Sequence, residues 1–510
     1  MMISKIQSCT LQGIQGSMIQ VEVDLSEGLP SFDLVGLPDS AVRESKERVR
    51  SAIKNSGFSF PIKRITVNLA PAHIRKEGPA FDLPIALGIL AASRLIPEES
   101  LKNIVCMGEL SLDGNIRPIN GILSLVHCAY ENNFYQCIVP AVNAHEGAII
   151  KGMTLWAAPN LKSVVAHLSQ ASSLPQAKSP GFESSVEWDP TIPNFSNIKG
   201  QDSVKRALEI AASGSHNVLM IGPPGSGKTM MARSLPGILP SLTFEESIEI
   251  TKIYSVAGLL PEQQGLISKR PFRAPHHTLS PSALIGGGHR PKPGEVSLAH
   301  YGVLFLDELP EFKRNVLEML RQPLEDGKVT IARNYGHFTY PSRFMLIGAL
   351  NPCPCGFYPH VDKCTCTPSQ IRKYLGKISG PLLDRMDLHV EASAVNYEDL
   401  TNKSTGESSQ IIQQRVQKAV QIQRQRFEKE NIFFNSQMNP SHISQYCSLG
   451  TKEEALLKSI FSKLELSARA YHRILKVART IADLEQSSSI QIHHITEAVQ
   501  YRNLDSSYKI

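Results

Sequence analysis

Apolar and polar residues alternate from Met18 to Leu25 and again from Ile65 to Leu69, the period-two pattern of half-buried strands. Between them, Asp39 to Ser56 repeats apolar positions at helical spacing (Val42, Val49, Ile53), opens on an acidic cap and stops at Gly57. A second helix is predicted to begin near Asp82. Further along the pattern changes. Val218–Ile221, Val303–Leu306 and Phe344–Leu350 are continuous apolar runs, as expected of strands buried on both faces, with helical patterns at Val204–Ala212 and Met230–Leu235. From about Ala392 the period is helical throughout. Ile412, Val416, Ala419 and Val420 form a stripe ringed by Arg415, Lys418, Arg424 and Arg426, a combination that reads as a solvated basic face. The strongest helix is predicted over residues 465–484. A stretch rich in Ser, Pro and Gly separates the two kinds of pattern. The organisation predicted is a mixed α/β domain over 1–170, a linker over 171–190, an α/β core with a parallel sheet over 191–391 and a helical region over 392–510.

The run Ile221 to Thr229, I-G-P-P-G-S-G-K-T, follows a buried strand and opens a helix. That is the setting of a P-loop. Gly222, Pro223, Pro224, Gly225, Ser226 and Gly227 form the turn whose backbone N–H groups face phosphate oxygens, Lys228 reaches the β/γ-phosphates, and Thr229 can hold Mg²⁺. The strand at 303–306 ends in Asp307 and Glu308, the arrangement that holds a Mg²⁺ shell and polarises an attacking water. An acidic pair also caps helices, and Glu308-Leu309-Pro310 does open one, so the two roles are compatible. ATP and Mg²⁺ are therefore the expected ligands.

Composition narrows the class without choosing a substrate. With 42% hydrophobic and 20% charged residues over 510 positions, the chain is that of an ordinary globular protein of several domains. A formal net charge of +6 is too mild to argue for nucleic acid by itself. The N-terminus shows no apolar signal-like region, and the run Phe81–Ala92 is too short to span a bilayer and contains Asp82. A cytoplasmic location without membrane association is expected. Four of the nine cysteines crowd into one segment as C-x-C-x₈-C-x-C, at Cys353, Cys355, Cys364 and Cys366. Four thiols suit a tetrahedral structural Zn²⁺, and four reduced, unliganded thiols are the alternative.

Two N-terminal segments resemble the proteolytic domain of Lon, in the ribosomal S5 domain 2 superfamily. Lys76 to Ala80 is similar to the segment that carries the Lon nucleophile, and Gly108 to Ala129 to the segment that carries its lysine. The serine position holds Ala80, and the lysine positions hold Leu123 and Leu125. A Lon-like fold without protease activity is implied, because neither nucleophile nor base is present. The core resembles AAA+ ATPases. That resemblance makes Ile198 and Gly200 the adenine lining, Asn351 the sensor 1 residue that places the lytic water, Arg385 in S-G-P-L-L-D-R-M-D the arginine finger, and Arg469 the sensor 2 arginine, with Arg473 as runner-up. The bland alternative for Arg385 is an ion pair with Asp384 or Asp387.

Over essentially its whole length, with R-A-P-H-H-T-L-S at 273–280 and N-P-C-P-C-G at 351–356, the chain resembles the ComM/YifB family of magnesium-chelatase-like AAA+ ATPases. The resemblance implies a homo-hexameric ATPase that binds single-stranded and branched DNA and drives branch migration during recombination and natural transformation, alongside recombination proteins. It also implies a helix-2 insert carrying His289, Arg290 and Lys292, and a hairpin before sensor 1 carrying Arg333, Tyr335 and His337, as DNA contacts. A plain surface loop is the alternative for the insert. His276 and His277 are adjacent on one element and lack a sequence-local acidic or Cys partner, so a metal role is not expected of them. Remodelling of a protein partner, as in magnesium chelatase, is the alternative function.

Overall fold

The structure is a computed structural model that describes residues 2–179, 181, 190–261, 265–288, 291–333, 336–360, 362–394, 406–464 and 466–502. The chain divides into two compact units.

The first unit comprises residues 1–183 with Phe244–Ser268 and Ala332–Tyr340. Its sheet has seven strands in the order Ser31–Val35, Arg64–Ala70, Gln15–Ser26, Met2–Gln12, Val105–Cys106, Gln136–Pro140 and Thr154–Ala158. The long hairpin Met2–Gln12/Gln15–Ser26 pairs antiparallel in the register Ile6↔Val21, and the Gln136 and Thr154 strands add in parallel. The alternation read at Met18–Leu25 is present as alternating burial along Gln15–Ser26. Helix Ser40–Asn55 starts on Asp39, whose carboxylate accepts the Val42 N–H at 2.8 Å. The same carboxylate accepts the Gly78 N–H at 3.3 Å, fixing the segment that leads to Ala80. Helix Asp82–Ala92 is buried along its whole length, which explains why its sequence shows an apolar run instead of one stripe.

Burying Asp82 at the start of that helix requires a partner. Arg48 supplies it with two bonds of 2.6 and 3.0 Å, and the Leu110 N–H adds a third at 3.2 Å. Burial still pushes the Asp82 carboxyl up to about 6, against the pull of Arg48. The folded chain therefore holds this proton more tightly than the unfolded chain, and the cost of burying the charge grows as pH rises from about 4 through 6. An Arg48→Ala variant should lose about 3 kcal/mol at pH 8 by leaving that charge unpaired. Thermal melts of both proteins should show the gap narrowing at pH 5, where Asp82 takes up a proton. A pH-independent gap would count against this account.

The positions where a Lon-type dyad would stand carry no such chemistry. Leu123 and Leu125 are buried in the apolar cluster around helix Ile122–Glu131, and Ala80 packs against that cluster. Helix Phe244–Ala257 belongs to the same unit. Its Phe244 and Ile248 lie against the same cluster, and its Ser255 hydroxyl accepts the Gly121 N–H at 2.9 Å.

The second unit holds a five-stranded sheet, all parallel, in the order Phe272–Arg273, Val303–Leu306, Met345–Leu350, Val218–Ile221 and Leu388–Glu391. The three apolar runs of the sequence are its central strands. Their registers, Ile221↔Leu350 and Leu306↔Gly348, bring the segments after Ile221, Leu306 and Leu350 to one end of the sheet. Ligands of open parallel sheets bind at that end. Helices Asp202–Gly214, Ser409–Arg426, Ala468–Leu484 and Ile492–Gln500 share one apolar cluster with the sheet, and the stripe Ile412, Val416, Ala419 and Val420 lies inside it.

The basic residues beside that stripe are not simply a solvated face. Arg415 pairs with Glu209 and Glu407, and Arg426 with the fully buried Asp483. Asp483 also takes bonds from Asn435 and Arg479. Glu209 lies 206 positions from Arg415 and Asp483 lies 57 from Arg426, so helical periodicity could not show these pairs. Among the described residues, no helix is long and apolar enough to cross a membrane.

Candidate nucleotide-binding site

The loop that leaves the Val218–Ile221 strand is shaped by three glycines for two different reasons. Gly225 and Gly227 have φ of +77° and +85°, a region that residues with a Cβ rarely adopt. Gly222 instead faces backbone, since a Cβ there would stand 2.2 Å from the Ala392 carbonyl oxygen. Lys228 then starts helix Lys228–Ser234. Its amine donates to the Gly222 and Pro223 carbonyls at 2.7 and 2.8 Å and approaches Ser226 Oγ at 3.3 Å and Asn351 Oδ1 at 3.4 Å. Burial lowers the Lys228 pKa and Asp307 partly restores it. A cation held on neutral carbonyls at the start of a helix, whose N-terminus favours negative charge, can exchange those partners for phosphate oxygens at little reorganisation.

Thr229 Oγ1 donates to Asp307 Oδ2 at 2.6 Å. The pair joins the P-loop helix to the end of the Val303–Leu306 strand, and these two oxygen ligands suit Mg²⁺ beside a triphosphate. Asp307 also accepts the Glu308 N–H at 2.9 Å. Glu308 adopts φ 50°, ψ 46°, a left-handed conformation that turns its side chain away from the strand direction. Asn351 follows the Met345–Leu350 strand directly, and Gly222 N–H donates to the Leu350 carbonyl at 3.2 Å, so Asn351 and the P-loop start side by side. The residues present fit Mg²⁺ and a nucleoside triphosphate.

Two contributors were not given a role at this site by the sequence. Gln201, in a left-handed conformation before helix Asp202–Gly214, donates from Nε2 to the Ser226 and Ser393 carbonyls at 3.3 and 2.6 Å. It ties the P-loop to the strand beside it. His277 Nδ1 lies 3.7 Å from Glu308 Oε2, with its ring edge-on to Phe312. The acidic neighbour that the sequence around His277 lacks is thus supplied by Glu308, from thirty-one positions away. Ile198, expected beside adenine, is buried in the core cluster with Phe195, while Gly200 has φ +60° in the turn before Gln201.

Arg385 and Arg469 are elsewhere. A cavity of about 680 Å³ is lined by Asn217, Gly302 and Met345, residues that precede or open the same parallel strands. It therefore lies at the end of the sheet opposite the P-loop. Arg385, Arg469, Arg473 and Lys476 line it too. Arg385 bonds the Pro381 carbonyl at 2.6 Å and pairs with Glu325. Asp384 and Asp387, the alternative partners named for it, stand 3.5 Å from Arg469 and 3.6 Å from Arg473. Asp387 is held low, to about 2: burial opposes the charge, but His216, Arg473 and Lys476 outweigh it. The structure does not bring Arg469 to the P-loop of its own chain.

Of the residues read as DNA contacts, His289, Arg290 and Tyr335 lie outside the described residues. Lys292 is exposed on a small antiparallel ladder, Gly286–Gly287 with Lys292–Pro293. The strands Lys328–Arg333 and Gly336–Pro341 form the expected hairpin. Arg333 and His337 are exposed, Phe338 lies beside Gly13, and Tyr340 is fully buried.

Three family descriptions match successive parts of the chain: "Subunit ChlI of Mg-chelatase" over residues 21–143, "Magnesium chelatase, subunit ChlI" over 194–400, and "Magnesium chelatase, subunit ChlI C-terminal" over 406–502. Competence protein ComM of Haemophilus influenzae is 44% identical over 506 residues, covering 98% of this chain and 98% of that protein. This chain belongs to the ComM/YifB family. YifB of Escherichia coli K12, a protein described as uncharacterized, is 42% identical over 507 residues, 99% of this chain and 98% of its own. The magnesium-chelatase 38 kDa subunit of Rhodobacter capsulatus is 27% identical over 188 residues, 33% of this chain and 53% of that subunit. Membership of the ComM/YifB family and the mixed α/β fold with a parallel sheet agree with the motifs that open the core, so the chain is a magnesium-chelatase-like AAA+ protein.

Proposed function

We propose that the chain is the subunit of an ATP-hydrolysing ring, a homo-hexamer, that moves DNA branch points during recombination and uptake of foreign DNA. The observation that carries the reading is the separation of two half-sites on one sheet. Lys228, Thr229, Asp307, Glu308 and Asn351 stand at one end, and the arginine group of Arg385 stands at the other. A triphosphate at the first end receives charge compensation from Lys228 of the same chain, and the arginine group at the second end, where Glu325 holds Arg385 and Arg469 is exposed, serves a neighbour. Head-to-tail repetition of that contact closes a ring.

Bound Mg²⁺ would be held by Thr229 and Asp307 and would neutralise charge on the phosphates. Glu308 accepts the proton of the attacking water, Asn351 orients it, and Arg385 of the neighbour stabilises the transition-state charge. Arg469, beside Arg385, acts on the same neighbour's phosphates. DNA is the substrate on the strength of the ComM relative's name and of the exposed Arg333, His337 and Lys292. The domain limits 1–170, 171–190, 191–391 and 392–510 are kept, with Phe244–Ser268 and Ala332–Tyr340 of the core grouped with the N-terminal unit. That unit performs no proteolysis, since Ala80, Leu123 and Leu125 replace the dyad. We place the assembly in the cytoplasm.

ATP hydrolysis measured alone, with single-stranded DNA and with a four-way junction tests the reading. Stimulation by DNA together with conversion of labelled junction to products is expected. A rate indifferent to DNA would favour the second reading, a motor that remodels a protein partner, which the similarity to the magnesium-chelatase subunit supports.

A further inference from the structure

Asn351 is followed by an irregular loop. Among the described residues between Asn351 and Thr367 there is neither helix nor strand, so few main-chain bonds hold this segment. Yet four cysteines converge within it. The sulfurs of Cys353 and Cys355 are 3.3 Å apart, those of Cys353 and Cys364 3.8 Å, and those of Cys355 and Cys364 3.6 Å. All four, including Cys366, lie within 4.8 Å of one another. None is disulfide-bonded, and a disulfide would need about 2.05 Å. A Zn²⁺ with four sulfurs at about 2.3 Å has tetrahedral edges of about 3.8 Å, close to the 3.3 to 3.8 Å separating Cys353, Cys355 and Cys364.

The surrounding main chain is arranged for thiolates. Tyr358 N–H points at Cys353 Sγ at 3.4 Å. A main-chain donor of this kind orients a ligand sulfur around a metal. Four thiolates this close repel strongly unless a cation lies between them. Soft sulfur in a tetrahedral set selects zinc or iron, and the closed set leaves no open position for chemistry.

The other cluster of metal-ligating groups among the described residues, Glu485 with His493 and His494, does not meet this test. Gln491 N–H donates to His494 Nδ1 at 2.9 Å, so the proton of that ring sits on Nε2. Nε2 therefore donates to Glu485 and offers no lone pair to a metal.

The cysteine loop also touches the nucleotide site. Gly356, at φ +85°, lies so close to Pro224 of the P-loop that a Cβ would stand 2.4 Å from its Cδ, and Cys353 is two residues from Asn351. We infer that Cys353, Cys355, Cys364 and Cys366 bind one structural Zn²⁺, which holds this loop against Pro224 and fixes Asn351, so that nucleotide turnover depends on a metal that never meets the nucleotide. The metal site stands on its own geometry; only its effect on turnover rests on the proposed ATPase activity.

Elemental analysis of the full-length protein, purified without chelators from zinc-supplemented cells, tests the first part. One zinc per chain is expected, released stoichiometrically when a mercurial titrates the thiols. Cobalt reconstitution should give the charge-transfer and ligand-field bands of a tetrahedral tetrathiolate. A protein carrying only trace metal, with four freely reactive thiols, overturns the site, and iron in place of zinc overturns its identity. For the second part, zinc removal and the Cys364→Ser/Cys366→Ser variant should each lower ATP turnover about 10-fold. A native circular dichroism spectrum checks that the variant folds, and turnover should return when zinc is restored to the stripped parent. Zinc present but turnover unchanged on its removal overturns the coupling. Zinc present with no hydrolysis by any form would fault the ATPase reading and leave the metal site standing.

Discussion

With glutamine at position 308, ATP turnover should fall by about 10²- to 10⁴-fold, the range lost when a positioned general base is removed. Nucleotide affinity should stay within a few-fold of the parent. The two outcomes separate because Glu308 stands apart from the groups that hold phosphate and metal. Lys228 is anchored on the P-loop carbonyls, and Thr229 and Asp307 hold each other at 2.6 Å. Its main-chain N–H, and not its carboxylate, meets the Asp307 carboxylate, and its own carboxylate faces His277 at 3.7 Å. Glutamine keeps the size and the left-handed backbone but cannot take a proton from water. Steady-state hydrolysis and the binding of a fluorescent nucleotide, measured on the same preparation, check both halves. A variant that hydrolyses normally would mean that the base is another group, and one that no longer binds would mean that Glu308 belongs to the metal shell.

The legible parts of this site were those that chemistry forces into neighbouring positions. The pattern of a phosphate-binding turn lies between a buried strand and a helix, so Ile221 to Thr229 stands out, as does Asp307 as a carboxylate ending an apolar run. Strand existence was equally plain where burial on both faces leaves an unbroken apolar run, as at Val218–Ile221. What depended on tertiary placement did not show. Gln201 reaches the P-loop because its backbone takes a left-handed turn, and His277 meets Glu308 across two strands. Helix Phe244–Ala257 lies between the P-loop and Asp307 in sequence, yet its apolar residues pack with the N-terminal cluster. Basic residues were the least legible. Arg415 and Arg426 resemble a solvated face in the sequence, whereas distant carboxylates pair with both, and the position of Arg469 follows only from the chain's return to the far end of the sheet.

That return makes Arg385 the residue with the largest expected effect. Arg385→Ala should lower turnover by about 10³-fold or more, as loss of an arginine finger does, without weakening nucleotide binding to the isolated chain. Within its own chain Arg385 lies at the entry ends of the strands, held by Glu325 and the Pro381 carbonyl, while the P-loop lies at their exits. A side chain cannot bridge four- to six-residue strands at about 3.3 Å per residue, so any phosphate it meets belongs to another copy. Mixing decides the matter. In an equimolar mixture of Arg385→Ala and Glu308→Gln chains, roughly a quarter of the head-to-tail contacts join an intact Glu308 to an intact Arg385. Activity should reappear in the mixture although each variant alone is nearly inactive. If Arg385 served its own chain, no mixture would contain a complete site, and the rate would remain at the level of the separate variants.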